Sequence, residues 1–300
     1  MRCYSLSNAP HADGCRVSIK RVPAPQNSPD LPPGVSSNFF HDHVQVGDRL
    51  MVKAPYVHFH LVEDKPVPIA LIGGGIGITP MLSILNTVLK RGIKREVWLY
   101  YGVRNGSEHV MKEHLQALAG KLDNFHLHVC YSDPQEIDKA GVDYEHTGRV
   151  GVPSLRDTLK LVGCRFYVCG PKSMMESLVT GLEEWGVDSG NIYYESFGPA
   201  TLIRHDEPLQ IASDTRPISI TFSRSGKSLR WDPAADSLLE FAKANAIDVD
   251  SGCRAGSCGC GQTTLMDGEV EYSQQPDADV EPRHCLLCIA TPKCDLVLES

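Results

Sequence analysis

The stretch Gly73-Gly74-Gly75-Ile76-Gly77-Ile78-Thr79-Pro80 stands between an apolar run, Val67–Ile72, and a helical pattern, Met81–Lys90. A glycine-rich turn between a strand and a helix lets the backbone approach a phosphate, and the helix start offers it free N–H groups. Pro80 suits the first turn of a helix, where its missing N–H costs nothing. The stretch predicts a nucleotide site, although a turn of this kind also serves tight packing alone.

Apolar runs and helical patterns alternate on both sides of this turn. Such alternation is typical of a parallel sheet that is covered by helices on both faces. It predicts a parallel five-stranded α/β domain. The predicted strands are Val67–Ile72, Glu96–Val103, Phe125–Tyr131, Arg165–Cys169 and Ile192–Phe197, and the predicted helices are Met81–Lys90, His109–Ala119 and Ser173–Trp185.

The flanking segments have different patterns. Val17–Val22 and Arg49–Lys53 are predicted strands of a partial antiparallel barrel. Downstream, the pattern predicts a small α+β domain with strands at Ile218–Phe222, Ser228–Trp231 and Leu296–Glu299 and a helix at Ser237–Asn245. The expected domain bounds are 1–65, 66–198 and 215–300, with a polar linker at 199–214.

Cysteines cluster near the C-terminus, in Cys253-Arg-Ala-Gly-Ser-Cys258-Gly-Cys260. The Cys-x4-Cys spacing is that of a plant-type [2Fe–2S] cluster, whose next ligand would follow at position 261. Gly261 stands there, so Cys260 is the predicted third ligand, one residue early. Cys288 is the preferred fourth ligand and Cys285 competes with it. A four-thiolate zinc site is the alternative interpretation.

Composition excludes several classes of function. The formal net charge of −8 argues against nucleic acid as a partner, because phosphate binding needs clustered Lys and Arg. No apolar stretch approaches the roughly 18 to 20 residues of a membrane span. Eleven Cys in 300 residues, without a charged-then-apolar leader, favour a reducing cytoplasm over a disulfide-rich secreted protein.

A second strand end resembles the first. Cys169-Gly170-Pro171 joins a predicted strand to a predicted helix, where a nicotinamide ring could lie. Cys169 could equally be a buried packing residue. Arg104 follows the second strand, where an Arg suits the 2′-phosphate of NADPH, but it could also be a solvated loop residue, and NADH stays open.

Four motifs occur in the order seen in the ferredoxin–NADP reductase superfamily. They are Arg2-Cys3-Tyr4-Ser5-Leu6-Ser7, Gly73–Pro80, Cys169-Gly170-Pro171 and Glu195-Ser196-Phe197-Gly198. With a C-terminal cluster domain, the chain resembles the phthalate dioxygenase reductase type. The resemblance implies a flavin-binding barrel, an NAD(P)-binding domain and a β-grasp ferredoxin domain. It also implies electron transfer from NADH or NADPH to a terminal oxygenase of Rieske or similar type, or to another electron-accepting protein.

The resemblance also assigns residues to the cofactors. For the flavin, FAD in preference to FMN, it implies contacts from Arg2, Tyr4, Ser5, Lys20, Ser37 and Asn38. For the nicotinamide nucleotide it implies Gly73, Gly74, Gly75, Gly77, Thr79, Pro80, Arg104, Cys169, Gly170, Pro171 and Phe197, of which Thr79, Cys169 and Phe197 would flank the reacting ring. Phe197 could also be an ordinary core residue at a strand end.

The chain departs from the family pattern in two places. The given sequence begins directly at the Arg-x-Tyr-Ser motif, which several barrel strands normally precede. We expect either that it is part of a longer protein or that an incomplete barrel leaves the flavin site partly open and lowers flavin affinity. Tyr56-Val57-His58 stands where members often have a Gly. Two alternative functions therefore stay open: a non-catalytic [2Fe–2S] electron carrier with a defective flavin domain, and a flavin reductase that lacks a cluster.

Overall fold

The computed structural model describes residues 2–11, 13–24, 32–52, 59–159, 163–197, 217–256, 258–273, 276 and 278–300. They belong to two compact units. The first unit contains the described residues between Tyr4 and Glu195, and the second contains Arg2, Cys3 and the described residues from Ser196 to Ser300. The expected linker, 199–214, and the departure at Tyr56-Val57-His58 lie outside the described residues.

A six-stranded parallel sheet forms the centre of the first unit. Its strands are β1 (Ile69–Gly74), β2 (Val97–Val103), β3 (Phe125–Tyr131), β4 (His146–Thr147), β5 (Arg165–Cys169) and β6 (Ile192–Glu195). Their order is β4-β3-β2-β1-β5-β6. The predicted α/β fold is confirmed, and every residue of β1 is buried because strands and helices surround it. The sheet gains β4, which was not predicted because two exposed residues form no apolar run.

Helices cover this sheet. The helices of the first unit are α1 (Val35–His43), α2 (Ile78–Lys90), α3 (Lys112–Ala119), α4 (Val152–Arg156) and α5 (Lys172–Glu184). In α2 the buried Met81 and Leu85 are one turn apart, so they share the face that packs on the sheet. Helix α3 begins later than the predicted His109, because Met111 has a left-handed backbone with φ of 61°. Among the described residues, no helix combines the length and the apolar character that crossing a membrane requires.

Among its described residues, the segment upstream of β1 contains one antiparallel bridge, between Leu6 and Val17. The amide of Ser7 supports it by donating to the carbonyl oxygen of Arg16 at 2.8 Å. Apart from this bridge, the described residues of the two predicted strands, 17–22 and 49–52, form no β-ladder. The described part of the predicted barrel therefore contains this bridge and helix α1, which the sequence patterns did not predict.

A mixed five-stranded sheet forms the second unit, and helix α6 (Leu238–Ala244) packs on it. The strands are β7 (Ser219–Phe222), β8 (Lys227–Arg230), β9 (Gln262–Asp267), β10 (Val270–Tyr272), β11 (His284–Leu286), β12 (Ala290–Pro292) and β13 (Leu296–Leu298). The sheet order is β11-β9-β13-β7-β8, with β13 parallel to β7, and β10 pairs separately with β12. This is the predicted β-grasp topology, and it is confirmed.

The start of α6 and the core beneath it explain why this unit folds. The Ser237 hydroxyl accepts a hydrogen bond from the Glu240 amide at 3.3 Å, which caps the helix. Phe222 and Leu298 are fully buried on neighbouring strands, and Leu238 is fully buried on the helix. The predicted helix and strands therefore meet in one apolar core.

Replacing Leu71 in the central strand tests this account of the first unit. Leu71 is fully buried between its strand partners Leu99 and Tyr167. We expect Leu71→Ala to lower the free energy of unfolding of this unit by about 2–5 kcal/mol, through lost transfer energy and a residual cavity. The measurement is denaturant unfolding of the full chain. The control, Ile137→Ala, changes a side chain that is 79% exposed, and it should change the free energy of unfolding by under about 0.5 kcal/mol.

Candidate functional site

The two glycine-containing strand ends lie against each other. Gly73 and Cys169 are partners in the ladder between β1 and β5. A Cβ atom added to Gly77 would stand 2.1 Å from the carbonyl oxygen of Cys169 and 2.8 Å from the Gly170 nitrogen. A real Cβ never approaches backbone so closely, so only glycine fits at position 77. The structure thus brings the two predicted nucleotide motifs to one edge of the sheet.

Further glycines keep this edge free of side chains. A Cβ on Gly170 would lie 3.1 Å from the Gly74 Cα atom, and one on Gly74 would lie 2.8 Å from Pro171 Cδ. Gly75 has φ of +53°, a left-handed conformation, and a Cβ there would meet nothing within 4 Å. Bare backbone therefore faces open space immediately before α2, as close approach to a pyrophosphate requires.

The start of α2 has its own hydrogen bonding. Gly77 precedes the helix and has no side chain that could cap it. Thr79 is 2% exposed, and its hydroxyl donates to the carbonyl oxygen of Ile76 at 3.0 Å. Pro80 is buried in the same turn. This hydrogen bond of the Thr79 hydroxyl stabilises the turn. The predicted contact between Thr79 and the nicotinamide stays a prediction.

Cys169 ends β5 next to a carboxyl group that the motif analysis did not assign. The Cys169 side chain is fully buried, and burial raises the pKa of its thiol well above the ordinary value. Glu195, its ladder partner on β6, accepts a hydrogen bond from the Ser5 hydroxyl at 2.6 Å. Burial raises the pKa of Glu195, and the hydrogen bond from Ser5 opposes that rise. A neutral thiol, a carboxyl group and a hydroxyl therefore meet at this edge.

Sequence reasoning assigned no role to Glu195. It belongs to the quoted Glu195-Ser196-Phe197-Gly198 motif, and it ends a strand of the parallel sheet. The carboxyl end of a parallel strand is where such folds place ligands, and that position was the available signal.

A carboxylate holds two of the predicted cations. The Arg104 guanidinium contacts Glu108 Oε1 at 3.1 Å, and Lys20 Nζ contacts Glu108 Oε2 at 3.2 Å. Arg104 is exposed after β2, which suits a nucleotide phosphate. Lys20, expected at the flavin, has its ammonium group on Glu108, so its flavin contact stays a prediction.

Three of the predicted flavin residues surround the start of α1. The Tyr4 hydroxyl donates to Ser36 Oγ at 2.9 Å. Ser37 Oγ accepts from the Val22 amide at 3.2 Å, and Asn38 Nδ2 donates to the Val22 carbonyl oxygen at 2.9 Å. Tyr4, Ser37 and Asn38 therefore all lie at this helix start, and their flavin contacts stay predictions. Arg2 and Phe197 belong to the second unit, and Phe197 is 43% exposed.

The cysteine loop supplies N–H groups to sulfur atoms. The Cys253 amide donates to Cys258 Sγ at 3.2 Å, and the Ala255 amide donates to Cys253 Sγ at 3.3 Å. Burial raises the pKa of Cys288 to about 11, and a hydrogen bond from the Gly256 backbone opposes this rise. Peptide N–H donors stabilise thiolate charge around an iron–sulfur cluster. The donor set of this loop therefore fits the predicted [2Fe–2S] group.

The other candidate cluster ligands differ in their surroundings. Cys285 is fully buried in the apolar core, whereas Cys288 is only partly buried. Cys260 Sγ lies within 4.8 Å of Cys258 Sγ. Gly261 is buried, and a Cβ there would lie 3.4 Å from the Asp250 carbonyl oxygen. These positions favour Cys288 over Cys285, and they show that Cys260 brings its sulfur to Cys258.

Two protein families match the chain. The oxidoreductase NAD-binding domain family matches residues 71–180, which contain both glycine motifs. The 2Fe-2S iron-sulfur cluster binding domain family matches residues 220–293, which contain the cysteine loop.

The chain is also similar to individual proteins and solved structures. A flavohemoprotein of Halalkalibacterium halodurans is 40% identical over 200 residues, which are 67% of this chain and 48% of that protein. The chain thus spans about half the length of the curated relatives it matches. The solved structure of phthalate dioxygenase reductase covers 100% of this chain and 83% of its own, at TM-score 0.57 and 25% identity. The FAD/NAD binding domain of a nitric oxide dioxygenase from Vibrio cholerae covers 65% of this chain and 76% of its own, at TM-score 0.52 and 28% identity.

These two domains are those of the ferredoxin–NADP reductase superfamily, and the chain is similar in structure to phthalate dioxygenase reductase. It has an NAD-binding domain of the kind found in oxidoreductases and a [2Fe–2S]-binding domain. These family matches support the predicted NAD(P)H and [2Fe–2S] cofactors.

The close approach at Gly77 gives a direct test of the nucleotide edge. We expect Gly77→Ala to separate β1 from β5, because the added methyl group would overlap the Cys169 carbonyl. The change should lower affinity for NADH by more than about tenfold and should also lower the melting temperature. Titration calorimetry and thermal unfolding measure both effects. The control, Gly120→Ala, adds a methyl group whose nearest neighbour would be 3.5 Å away, and it should change neither.

The buried carboxyl group of Glu195 predicts a pH-dependent stability. Its folded pKa is raised above the ordinary 4.5, so the folded chain holds the proton more tightly than the unfolded chain. Stability should therefore fall as pH rises from 4.5 through the raised pKa. The measurement is the melting temperature as a function of pH. We expect its decrease with rising pH to be smaller in Glu195→Gln and unchanged in the control Glu184→Gln, which lies at an exposed helix end. An unchanged pH profile in Glu195→Gln would show that Glu195 titrates normally.

Proposed function

We propose that the chain oxidises NADH or NADPH and delivers single electrons to a partner protein through FAD and a [2Fe–2S] cluster. The observation that carries this proposal is a pair of sites in one chain. The first is the bare glycine edge formed by Gly77 against Cys169, and the second is the cysteine loop with its N–H donors to sulfur. When bound, FAD accepts a hydride from the nicotinamide and the cluster carries one electron at a time.

The glycine edge would bind and orient the nucleotide. The free backbone at Gly75 and the first N–H groups of α2 offer hydrogen bonds and a positive helix end to a pyrophosphate. Arg104, exposed after β2, would contact the adenosine end of the nucleotide and favour a 2′-phosphate if one is present. The remaining proposed nucleotide contacts are Gly73, Gly74, Gly170 and Pro171, which adjoin this edge in the structure.

The group formed by Cys169, Glu195 and Ser5 would orient the reacting rings. Cys169 stays a neutral thiol because its pKa is raised by burial, so it contributes packing and not charge. Ser5 donates to Glu195 in this structure, so the Ser5 hydroxyl is positioned before any ligand arrives. Thr79 and Phe197 are proposed to contact the nicotinamide on the resemblance alone.

The flavin contacts that we propose are those that surround α1, together with the motif residues before it. Tyr4 would pack on the isoalloxazine ring, and Ser37 and Asn38 would bring the start of α1 to the phosphate. Arg2 and Lys20 are proposed as further flavin contacts on the resemblance alone.

Four thiolates are proposed to hold the cluster: Cys253, Cys258, Cys260 and Cys288. Cys253 and Cys258 accept N–H hydrogen bonds within the loop, and Cys260 lies beside Cys258. Cys288 receives a hydrogen bond from the Gly256 backbone. These N–H groups would offset the negative charge that the thiolates add.

The domain bounds and the acceptor complete the proposal. We propose a flavin-binding part at 1–65, an NAD(P)-binding domain at 66–198, a linker at 199–214 and a ferredoxin domain at 215–300. The acceptor would be a terminal oxygenase or another electron-accepting protein. We propose a reducing, cytoplasmic location on the cysteine content of the sequence.

Cofactor content of the purified full chain tests this function. We expect about two irons, two sulfides and one flavin per chain. Cys288→Ala should lose most of the iron and sulfide and keep the flavin. The matched control is Cys285→Ala, three residues earlier in the core, which should keep all three.

Other outcomes distinguish the alternatives. A chain with iron and sulfide but without flavin would be a non-catalytic electron carrier. A chain with flavin but without iron and sulfide would be a flavin reductase that lacks the cluster. Loss of iron in Cys285→Ala together with its retention in Cys288→Ala would overturn the proposed ligand set.

A further inference from the structure

A third thiol lies beside Cys258 and Cys260 and has no role in the proposed function. It is Cys3, which belongs to the same compact unit as the cysteine loop. The Sγ atoms of Cys3, Cys258 and Cys260 all lie within 4.8 Å of one another. Among the described residues, these are the side chains that meet as a group of possible metal ligands.

The chain leaves room for these sulfur atoms at Gly252. A Cβ added to this buried glycine would stand 2.6 Å from Cys258 Sγ and 3.1 Å from Cys3 Sγ. Any side chain at position 252 would push two of the three sulfur atoms away. The absence of a side chain at Gly252 therefore allows the three thiols to converge.

The distances suit one metal ion. Zinc binds thiolates at about 2.3 Å in a tetrahedron, which places its sulfur ligands about 3.8 Å from one another. Sulfur atoms already within 4.8 Å need only small side-chain movements to reach that arrangement. A [2Fe–2S] cluster instead distributes its four thiolates over two irons. The Cys3 group is thus more compact than a cluster cage and has the dimensions of a mononuclear site.

We propose that Cys3, Cys258 and Cys260 bind one thiophilic divalent ion, such as Zn²⁺, when the [2Fe–2S] cluster is absent. The three thiols would release their protons on binding, without any change of oxidation state. Cys3 is exposed, so water can take the fourth position. The proposal rests on the proposed function only in one respect: Cys258 and Cys260 are shared with the cluster, so zinc and the cluster exclude each other.

Zinc binding by the full chain tests this site. Protein is purified from iron-limited cells, freed of metal with a chelator and titrated with Zn²⁺ against a competing dye. We expect about one zinc per chain in the wild type, and Cys3→Ser should weaken its affinity by more than about tenfold, since one of three thiolates is lost. The matched control, Cys15→Ser, changes another exposed thiol near the N-terminus and should leave zinc affinity unchanged.

Cobalt gives a readout that a general loss of stability would not produce. Co²⁺ replaces zinc in such sites, and its thiolate charge-transfer absorption scales with the number of bound sulfur atoms. We expect Cys3→Ser to lower this absorption by about one third while the tetrahedral cobalt bands persist. Unchanged absorption in Cys3→Ser would overturn the site.

A second comparison separates this proposal from the proposed function. In protein from iron-replete cells, Cys3→Ser should keep the iron and sulfide content of the wild type, because the proposed cluster ligands are intact. Loss of iron and sulfide in Cys3→Ser would make Cys3 a cluster ligand and would overturn the separate zinc site. If the wild type held no iron under any condition but bound zinc through Cys3, the proposed function would fail and the zinc site would stand.

Discussion

The contact between Gly77 and the Cys169 peptide is the constraint on which the nucleotide edge depends. It sets two strand ends so close that no side chain fits between them. The same approach fixes the start of α2 relative to β5, and it leaves the backbone at Gly75 open. Because Cys169 is also the ladder partner of Glu195, the contact positions the thiol and carboxyl groups as well. One steric requirement therefore organises both the phosphate end and the reacting end of the proposed nucleotide site.

The cysteine loop depends on a different interaction, the hydrogen bond from a peptide N–H to sulfur. Such bonds reach Cys258 and Cys253 from within the loop. They align the thiols before any metal is present, so less ordering is left for metal binding. The displacement of the third Cys from position 261 to Cys260 keeps a sulfur atom next to Cys258. It also places Cys258 and Cys260 where Cys3 can join them, which is the basis of the proposed zinc site.

Much of the parallel sheet could be predicted, because buried strands leave continuous apolar runs such as Ile69-Ala70-Leu71-Ile72 in β1. The edge strand β4 has no such run and was missed. Helix α1 was also missed. Its Ser37 and Asn38 side chains form hydrogen bonds with the Val22 backbone, and Ser and Asn side chains form such bonds in turns as well as at helix starts. The partnership of Ser5 with Glu195 and the approach of Cys3 to Cys258 join residues that are far apart in sequence. No local pattern encodes contacts of this kind.

The central claim is that one chain takes electrons from a nicotinamide nucleotide and passes them to its own cluster. Anaerobic titration of the purified chain with NADH, followed by visible absorption and paramagnetic resonance, tests it most directly. The account predicts uptake of about three electrons per chain, two at the flavin and one at the cluster, together with a paramagnetic signal from the reduced cluster. A cluster that dithionite reduces but that neither NADH nor NADPH reduces would contradict the account.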